Sequence, residues 1–134
     1  MTLRGTPADT AGVARILVID DDAQVRALLD DVLSAAGHMV VLAADGREGL
    51  VAHRRHRPDL VITDIFMPHL DGLQVILELA SSRANVIAIS GGGNVHHLDH
   101  LDDAVHFGAC AHLTKPFTIE ALLKTVNDAL ARSV

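Results

Sequence analysis

The chain has 134 residues, of which 49% are hydrophobic and 2% aromatic, and its formal net charge is −6. This length suits one domain, and an aliphatic composition suits a core of buried parallel strands. The negative charge argues against nonspecific nucleic-acid binding, which relies on lysine and arginine contacts to phosphate. No apolar run approaches the ~20 residues of a membrane span, and no hydrophobic signal segment is visible at the N-terminus. The single cysteine, Cys110, excludes an internal disulfide, which suits a reducing compartment. These features together lead us to expect a cytoplasmic protein without membrane contact.

The chain divides into a short lead-in and one repeating pattern. Residues 1–14 carry glycine, proline and small polar residues, which predicts a flexible segment. Across residues 15–132, five short apolar runs alternate with five stretches whose apolar residues recur at helical spacing. The runs that predict strands are 16–19, 38–43, 60–63, 86–89 and 110–114, and the predicted helices carry apolar residues at 25–33, 50–51, 73–80, 98–105 and 122–130. This alternation predicts a three-layer α/β fold of the flavodoxin-like, doubly wound type, with a parallel five-stranded sheet in the order 2-1-3-4-5 and five helices.

Several helix boundaries are marked by residues that commonly cap helices. Asp22 is expected to cap the first helix, and Gly37 to follow its end. Asp45 and Glu48 have the spacing of a capping box, with Asp in place of the usual Ser or Thr. Thr118 is expected to cap the last helix.

Polar side chains follow the carboxyl ends of four predicted strands, which is where open α/β sheets bind ligands. They are Asp20, Asp21 and Asp22 after the first strand, Asp64 after the third, Ser90 after the fourth, and Thr114 and Lys115 after the fifth. In the predicted strand order these residues meet at one edge of the sheet. Carboxylates held together repel unless a cation offsets them, and Lys115 and a divalent ion are the natural candidates. Oxygen-only ligands favour Mg²⁺.

Such a site suits phosphoryl transfer, which depends mainly on positioning and on neutralising charge. Asp64 is the predicted nucleophile, and its product would be an aspartyl phosphate. The metal, Lys115 and the Ser90 hydroxyl would each contact one oxygen of the transferred group.

At these motifs the sequence resembles the response-regulator receiver family of two-component systems, in its stand-alone, chemotaxis-regulator-like form. The resemblance extends over residues 15–132 and is carried by motifs that occur in the family's order and spacing. They are ILVIDDD at 16–22, VITDIFMPHLDG at 61–72, AIS at 88–90 and LTKPFT at 113–118.

The resemblance implies a role for each matching residue in metal binding. Asp64 would be the phosphoacceptor. Asp20 and Asp21 would be the acidic pair, with Asp21 contacting Mg²⁺ directly and Asp20 through water. The backbone carbonyl of Phe66 would be a further metal ligand.

The resemblance also implies a switch. Ser90 would turn toward the phosphoryl group, and Lys115, before a cis Pro116, would pair with Asp64 at rest and with the phosphate after transfer. His112 stands at the aromatic switch position, where Tyr or Phe is frequent in the family, so the switch residue linked to Ser90 would here be an imidazole. Phe66 is apolar at a rim that is often polar, and we expect it to slow hydrolysis of the acyl phosphate.

The function implied is signalling by a phosphoacceptor rather than turnover by an enzyme. A histidine kinase or a histidine phosphotransfer protein would supply the phosphoryl group, and the surface of the fourth helix, fifth strand and last helix would then engage a downstream protein. No effector domain and no direct nucleic-acid contact are expected. Many family members dimerise through the same surface, so a homodimer is compatible with the sequence without being demanded by it.

Two other functions stay open at this point. One is a receiver-like binding module that works without phosphorylation. The other is a Mg²⁺-dependent phosphohydrolase with an aspartate nucleophile, of the haloacid-dehalogenase type. That family needs a second acidic residue two positions after the nucleophile, where this chain has Phe66. His96 and His100 have a spacing that can hold zinc on a helix, although exposed histidines without a metal are commoner.

Overall fold

A computed structural model of the protein describes residues 13–65, 72–82, 84–91 and 108–132. The strands are β1 Arg15–Ile19, β2 Met39–Ala43, β3 Leu60–Asp64, β4 Val86–Ser90 and β5 Ala111–Thr114. The helices are α1 Ala23–Ala35, α2 Gly46–His56, α3 Gly72–Ser81 and α4 Ile119–Arg132. The predicted helix at 98–105 and most of the predicted lead-in lie outside the described residues. Among the described helices, none combines the length and apolar character that crossing a membrane requires.

The strands form one sheet in the order β2-β1-β3-β4-β5, and every neighbouring pair is parallel. The predicted strand order and α/β class are therefore confirmed. The register brings the carboxyl ends of the strands into line: Ile19 pairs with Ala43 and Thr63, and Ser90 pairs with Thr114. Residues that directly follow these strands consequently share one edge of the sheet.

Two apolar layers cover the two faces of the sheet, and the inner strands contribute to both in alternation. Ile16 and Val18 belong to the layer that contains Leu29 of α1 and Val126 of α4. Their neighbours Leu17 and Ile19 belong to the layer that contains Val75 and Leu79 of α3. A strand covered on both faces has no solvent side, which explains why these runs are continuously apolar in sequence.

The predicted caps fix the start and end of helices at the sheet edges. Asp22 caps α1 through a backbone N–H in its first turn, 2.9 Å away. Asp45 Oδ1 accepts the Glu48 N–H at 2.8 Å, and Glu48 Oε1 accepts the Ala44 N–H at 2.9 Å, so the capping box closes one residue earlier than usual. Gly37 follows α1 with φ 98°, a conformation that favours glycine. These local interactions set where each chain segment enters and leaves the sheet.

Candidate functional site

Lys115 links two buried carboxylates at the carboxyl edge of the sheet. Its Nζ lies 3.1 Å from Asp20 Oδ2 and 3.2 Å from Asp64 Oδ2. Asp20 is 1% exposed and Asp64 5% exposed, whereas the lysine side chain is 24% exposed. Lys115 is 95 residues from Asp20 and 51 from Asp64 in the chain, so the strand order alone brings the three together.

A third carboxylate, that of Asp21, completes an acidic cluster. One ligand oxygen from each of Asp20, Asp21 and Asp64 lies within 4.8 Å of the others, and Asp21 is the exposed member. Three carboxylates and the Lys115 ammonium leave a formal charge of −3 + 1 = −2. An oxygen-only donor set with two uncompensated charges fits a hard dication such as Mg²⁺.

The turn after β1 is held by contacts that fix the direction of Asp20. Its Oδ1 accepts the Asp22 N–H at 2.9 Å, and its own N–H donates to the Ala43 carbonyl at 3.1 Å. Arg26 Nη1 donates to the Asp20 carbonyl at 2.6 Å. The sequence analysis did not identify Arg26. The signal available for it is a basic residue one helical turn beyond the capping Asp22, which returns its side chain toward the acidic turn.

The electrostatics of the site keep Lys115 charged. Burial alone lowers the pKa of Lys115, but the negative charges of Asp64 and Asp20, together with hydrogen bonds to both, outweigh burial and raise that pKa above its usual value. The ammonium is therefore a fixed positive charge at neutral pH. It compensates part of the carboxylate charge through its contacts with Asp20 and Asp64.

Ser90 lies at the same edge, as the last residue of β4. Its side chain is fully buried, and its hydroxyl donates to the Gly91 carbonyl at 3.4 Å. The Ser90 carbonyl accepts the Lys115 N–H at 2.8 Å, so the backbone of β4 holds the residue that carries the ammonium. The Lys115–Pro116 peptide bond is cis, as the resemblance implied.

The structure does not bring every predicted residue into this cluster. His112 is exposed on β5 and pairs in register with Ala88, two positions before the end of the strand. Phe66 lies outside the described residues, as do His96 and His100. The cluster in the described part of the chain thus consists of Asp20, Asp21, Asp64 and Lys115.

Comparison with known proteins gives a consistent match over the whole domain. The family model for the response regulator receiver domain matches residues 16–127. The transcriptional regulatory protein PdtaR of Mycobacterium tuberculosis is 36% identical, over 98% of this chain and 64% of the relative. The response regulator MprA of Mycolicibacterium vanbaalenii is 40% identical, over 89% of this chain and 51% of the relative. The chain thus spans between half and two-thirds of the length of these curated relatives.

A solved structure supports the same relationship. The response regulator receiver domain protein from Clostridium thermocellum superposes with a TM-score of 0.81 at 33% identity, covering 89% of this chain and 95% of that one. The sequence match, the strand order and the site at the carboxyl edge point in the same direction. The chain belongs to the response regulator receiver domain family of two-component signalling.

Proposed function

We propose that this receiver domain takes a phosphoryl group on Asp64 from a phosphohistidine of a histidine kinase or a phosphotransfer protein. The observation that carries the proposal is the Lys115 ammonium shared between Asp64 and Asp20. It places a cation directly beside the nucleophilic carboxylate. It also leaves a donor in place for the oxygens of an incoming phosphoryl group.

Mg²⁺ is the cofactor that fits the donor set. Asp20, Asp21 and Asp64 would hold it, and the backbone carbonyl of Phe66 is a further ligand predicted from the sequence. When bound, the ion supplies charge stabilisation on a phosphoryl oxygen in the transition state. The two uncompensated negative charges of the cluster are the feature that attracts it.

Transfer requires one bond to form and one to break. A carboxylate oxygen of Asp64 attacks phosphorus in line with the P–N bond of the phosphohistidine. The electron pair of that bond stays on the departing imidazole nitrogen. Asp64 attacks as a carboxylate, so it has no proton to lose. Lys115 then donates to a phosphoryl oxygen, and the Ser90 hydroxyl is a second donor at the carboxyl edge of the sheet.

The acyl phosphate would act as a signal rather than as a step in turnover. Transfer adds negative charge beside Lys115 and Ser90, and we expect the Ser90 hydroxyl to leave the Gly91 carbonyl for the phosphoryl group. The change would reach a downstream protein through β5 with His112, α4 and the segment of the predicted fourth helix. The domain would thus work as a phosphoacceptor switch.

Phosphorylation with acetyl phosphate and intact-protein mass measurement test this function. We expect one phosphoryl group on the wild type in Mg²⁺, none in EDTA, and none on Asp64→Asn. Asp59→Asn is the matched control, because Asp59 is an exposed aspartate just before β3 at the opposite end of the sheet. A label that persists on Asp64→Asn would overturn the proposal. Consumption of acetyl phosphate without a stable adduct would favour the phosphohydrolase, and neither reaction would favour the binding module.

A further inference from the structure

Positive charge is concentrated on α2 in an otherwise acidic chain. Residues 46–57 contain one acidic residue, Glu48, and four arginines, which gives 4 − 1 = +3; since the whole chain carries −6, the remainder carries −9. All four arginines are exposed, and none forms an ion pair within the ranges that the structure describes. They are Arg47, Arg54, Arg55 and Arg57.

Stabilisation of the helix explains only part of this charge. Basic residues in the last turn interact favourably with the helix dipole; Arg54 and Arg55 lie there, and Arg57 is the C-cap residue that follows. Arg47 lies in the first turn, where the same dipole disfavours a cation. The end of α2 also has a cap of its own, because Arg15 Nη1 donates to the His56 carbonyl at 2.7 Å. The arginines on the outer face therefore exceed what the helix needs.

Apolar groups lie among these arginines. Arg47, Val51, Arg54 and Arg55 follow the i, i+4, i+7, i+8 spacing of a single helical face, and Val51 is 44% exposed. Beside them, a notch of about 70 Å³ opens between α2 and α3. It is lined by Leu50, His53, Arg54, Glu78, Leu79 and Ser82. Guanidinium groups thus lie beside an exposed valine and a notch that has both apolar and polar walls.

We propose that this face of α2, with the notch against α3, is a docking surface for an acidic amphipathic segment of a partner protein. We call it the α2–α3 basic surface, and it consists of Arg47, Val51, Arg54, Arg55 and the notch. Carboxylates of the partner meet the arginines, whose planar guanidinium groups match them in bidentate pairs. An aliphatic side chain of the partner packs on Val51 and enters the notch.

A protein segment fits this surface better than a nucleic acid does. The patch is local, and a long phosphate backbone would extend onto the rest of the chain, which carries −9. At physiological salt, screening over about 8 Å lets a short acidic segment experience mainly the patch beneath it. Val51, Leu50 and Leu79 have no group that binds phosphate oxygens, whereas they can pack against apolar side chains of a protein segment. These features favour carboxylates interleaved with apolar side chains.

The surface does not rest on phosphorylation of Asp64. Arg54 and Arg55 lie in the last turn of α2, at the end of the helix away from the carboxyl edge of the sheet. The α2–α3 basic surface contains none of Asp20, Asp21, Asp64 and Lys115, so substitutions in it leave the phosphoacceptor residues unchanged. Failure of phosphorylation and failure of docking are therefore separate results.

Fluorescence anisotropy with a labelled peptide of repeated Glu-Glu-Leu-Leu blocks tests the surface. We expect Arg54→Glu to weaken binding about tenfold, because reversal replaces an attraction with a repulsion. Lys124→Glu is the matched charge reversal on α4 and should change binding less than about twofold. Glu78→Gln, which removes the one carboxylate among the described residues that line the notch, should strengthen binding. Equal binding by Arg54→Glu and Lys124→Glu, or no binding by the wild type, would overturn the proposal.

Two further measurements complete the test. Labelled oligothymidylate of equal charge must bind more weakly than the peptide, and tighter binding would overturn the choice of a protein partner. His53 gives an independent readout, because burial and the charges of Arg57 and Arg54 lower its pKa. Carboxylates bound to the arginines should raise that pKa in an NMR titration, and an unchanged value in the bound state would contradict docking. Circular dichroism and acetyl phosphate labelling check that Arg54→Glu is folded, and Arg55→Glu replaces it if it is not.

Discussion

The polar groups at the two ends of the sheet are paired in different ways. At the amino end, they satisfy one another: Asp59 Oδ2 accepts the Arg15 N–H at 2.8 Å, the Arg15 guanidinium donates to the His56 carbonyl, and His38 Nδ1 accepts the Ala14 N–H at 3.0 Å. At the carboxyl end, three carboxylates lie together, one ammonium contacts two of them, and the group keeps a formal charge of −2. The first arrangement holds the chain together, whereas the second is incomplete without a ligand.

This difference separates groups that serve stability from groups that serve binding. Like charges held together destabilise the ligand-free fold, so their persistence at one edge indicates a functional requirement. The comparison predicts that cations near the carboxyl edge stabilise the metal-free protein strongly. It also predicts that one contact at the amino end, the hydrogen bond that His38 accepts, depends on a neutral imidazole.

Removing the ammonium should produce the largest effect. Lys115→Met removes the ammonium that two buried carboxylates share, and we expect the free energy of unfolding to fall by about 3 kcal/mol in EDTA at neutral pH. Mg²⁺ should reduce this loss, because it replaces the missing positive charge. Urea unfolding followed by circular dichroism measures the change, since the chain has no Trp or Tyr.

Lys124→Met is the matched control for this prediction. Lys124 Nζ lies 3.1 Å from Asp128 Oδ2, and both side chains are largely exposed, so its loss should cost at most about 0.5 kcal/mol. If the two lysine variants lose equal stability, the Lys115 ammonium contributes no more to folding than an exposed surface ion pair does. The comparison between the two ends of the sheet would then fail.

Arg26 should give an effect of intermediate size. Its guanidinium donates to the Asp20 carbonyl, and hydrogen bonds of charged groups contribute about 1.5–3 kcal/mol. Since Arg26 is partly exposed, we expect Arg26→Met to lower the free energy of unfolding by about 1.5 kcal/mol in EDTA. Arg26→Lys keeps the positive charge and should recover part of the lost free energy of unfolding.

Arg54→Met is the appropriate control, because Arg54 is exposed on α2 and has no ion pair among the described residues. Its replacement should change stability by less than about 0.5 kcal/mol. The same urea titrations compare both arginine variants. A loss in Arg54→Met as large as that in Arg26→Met would show that Arg26 has no special role at the acidic turn.

The sequence predicts the features that depend on local pattern or on strand ends. Continuous apolar runs identify the inner strands because both sheet faces are covered, and the order of strands then places Asp20, Asp64 and Lys115 together. Other features depend on contacts between distant segments. One such feature is the orientation of α1, which directs Arg26 toward the Asp20 carbonyl. Another is the burial of Asp20 beside an exposed Asp21. No periodic pattern in the sequence indicates either of them.

His38 is a further case that no pattern indicates, because its partner is 24 residues away in the chain. Its Nδ1 can accept the Ala14 N–H only while the imidazole is neutral, and burial lowers the pKa of His38 from its usual 6.5. Above pH 6.5 the group is neutral in both states and the full stability is present. Below it the unfolded chain gains a proton that the fold excludes, so stability falls until the pH reaches the lowered pKa of the folded state.

The smallest predicted effect is therefore a pH dependence at the amino end. Between pH 6.5 and the lowered pKa, the free energy of unfolding should decline by at most about 1.4 kcal/mol per pH unit on account of His38. His38→Gln keeps a side-chain oxygen that can accept the Ala14 N–H but cannot gain a proton in this range, so its decline should be shallower. His53 titrates with the same sign in both proteins, so the difference between their urea titrations isolates His38. Parallel curves of unfolding free energy against pH for wild type and His38→Gln would mean that a positive charge on His38 does not destabilise the fold. The amino end would then accept a cation as readily as the carboxyl end does.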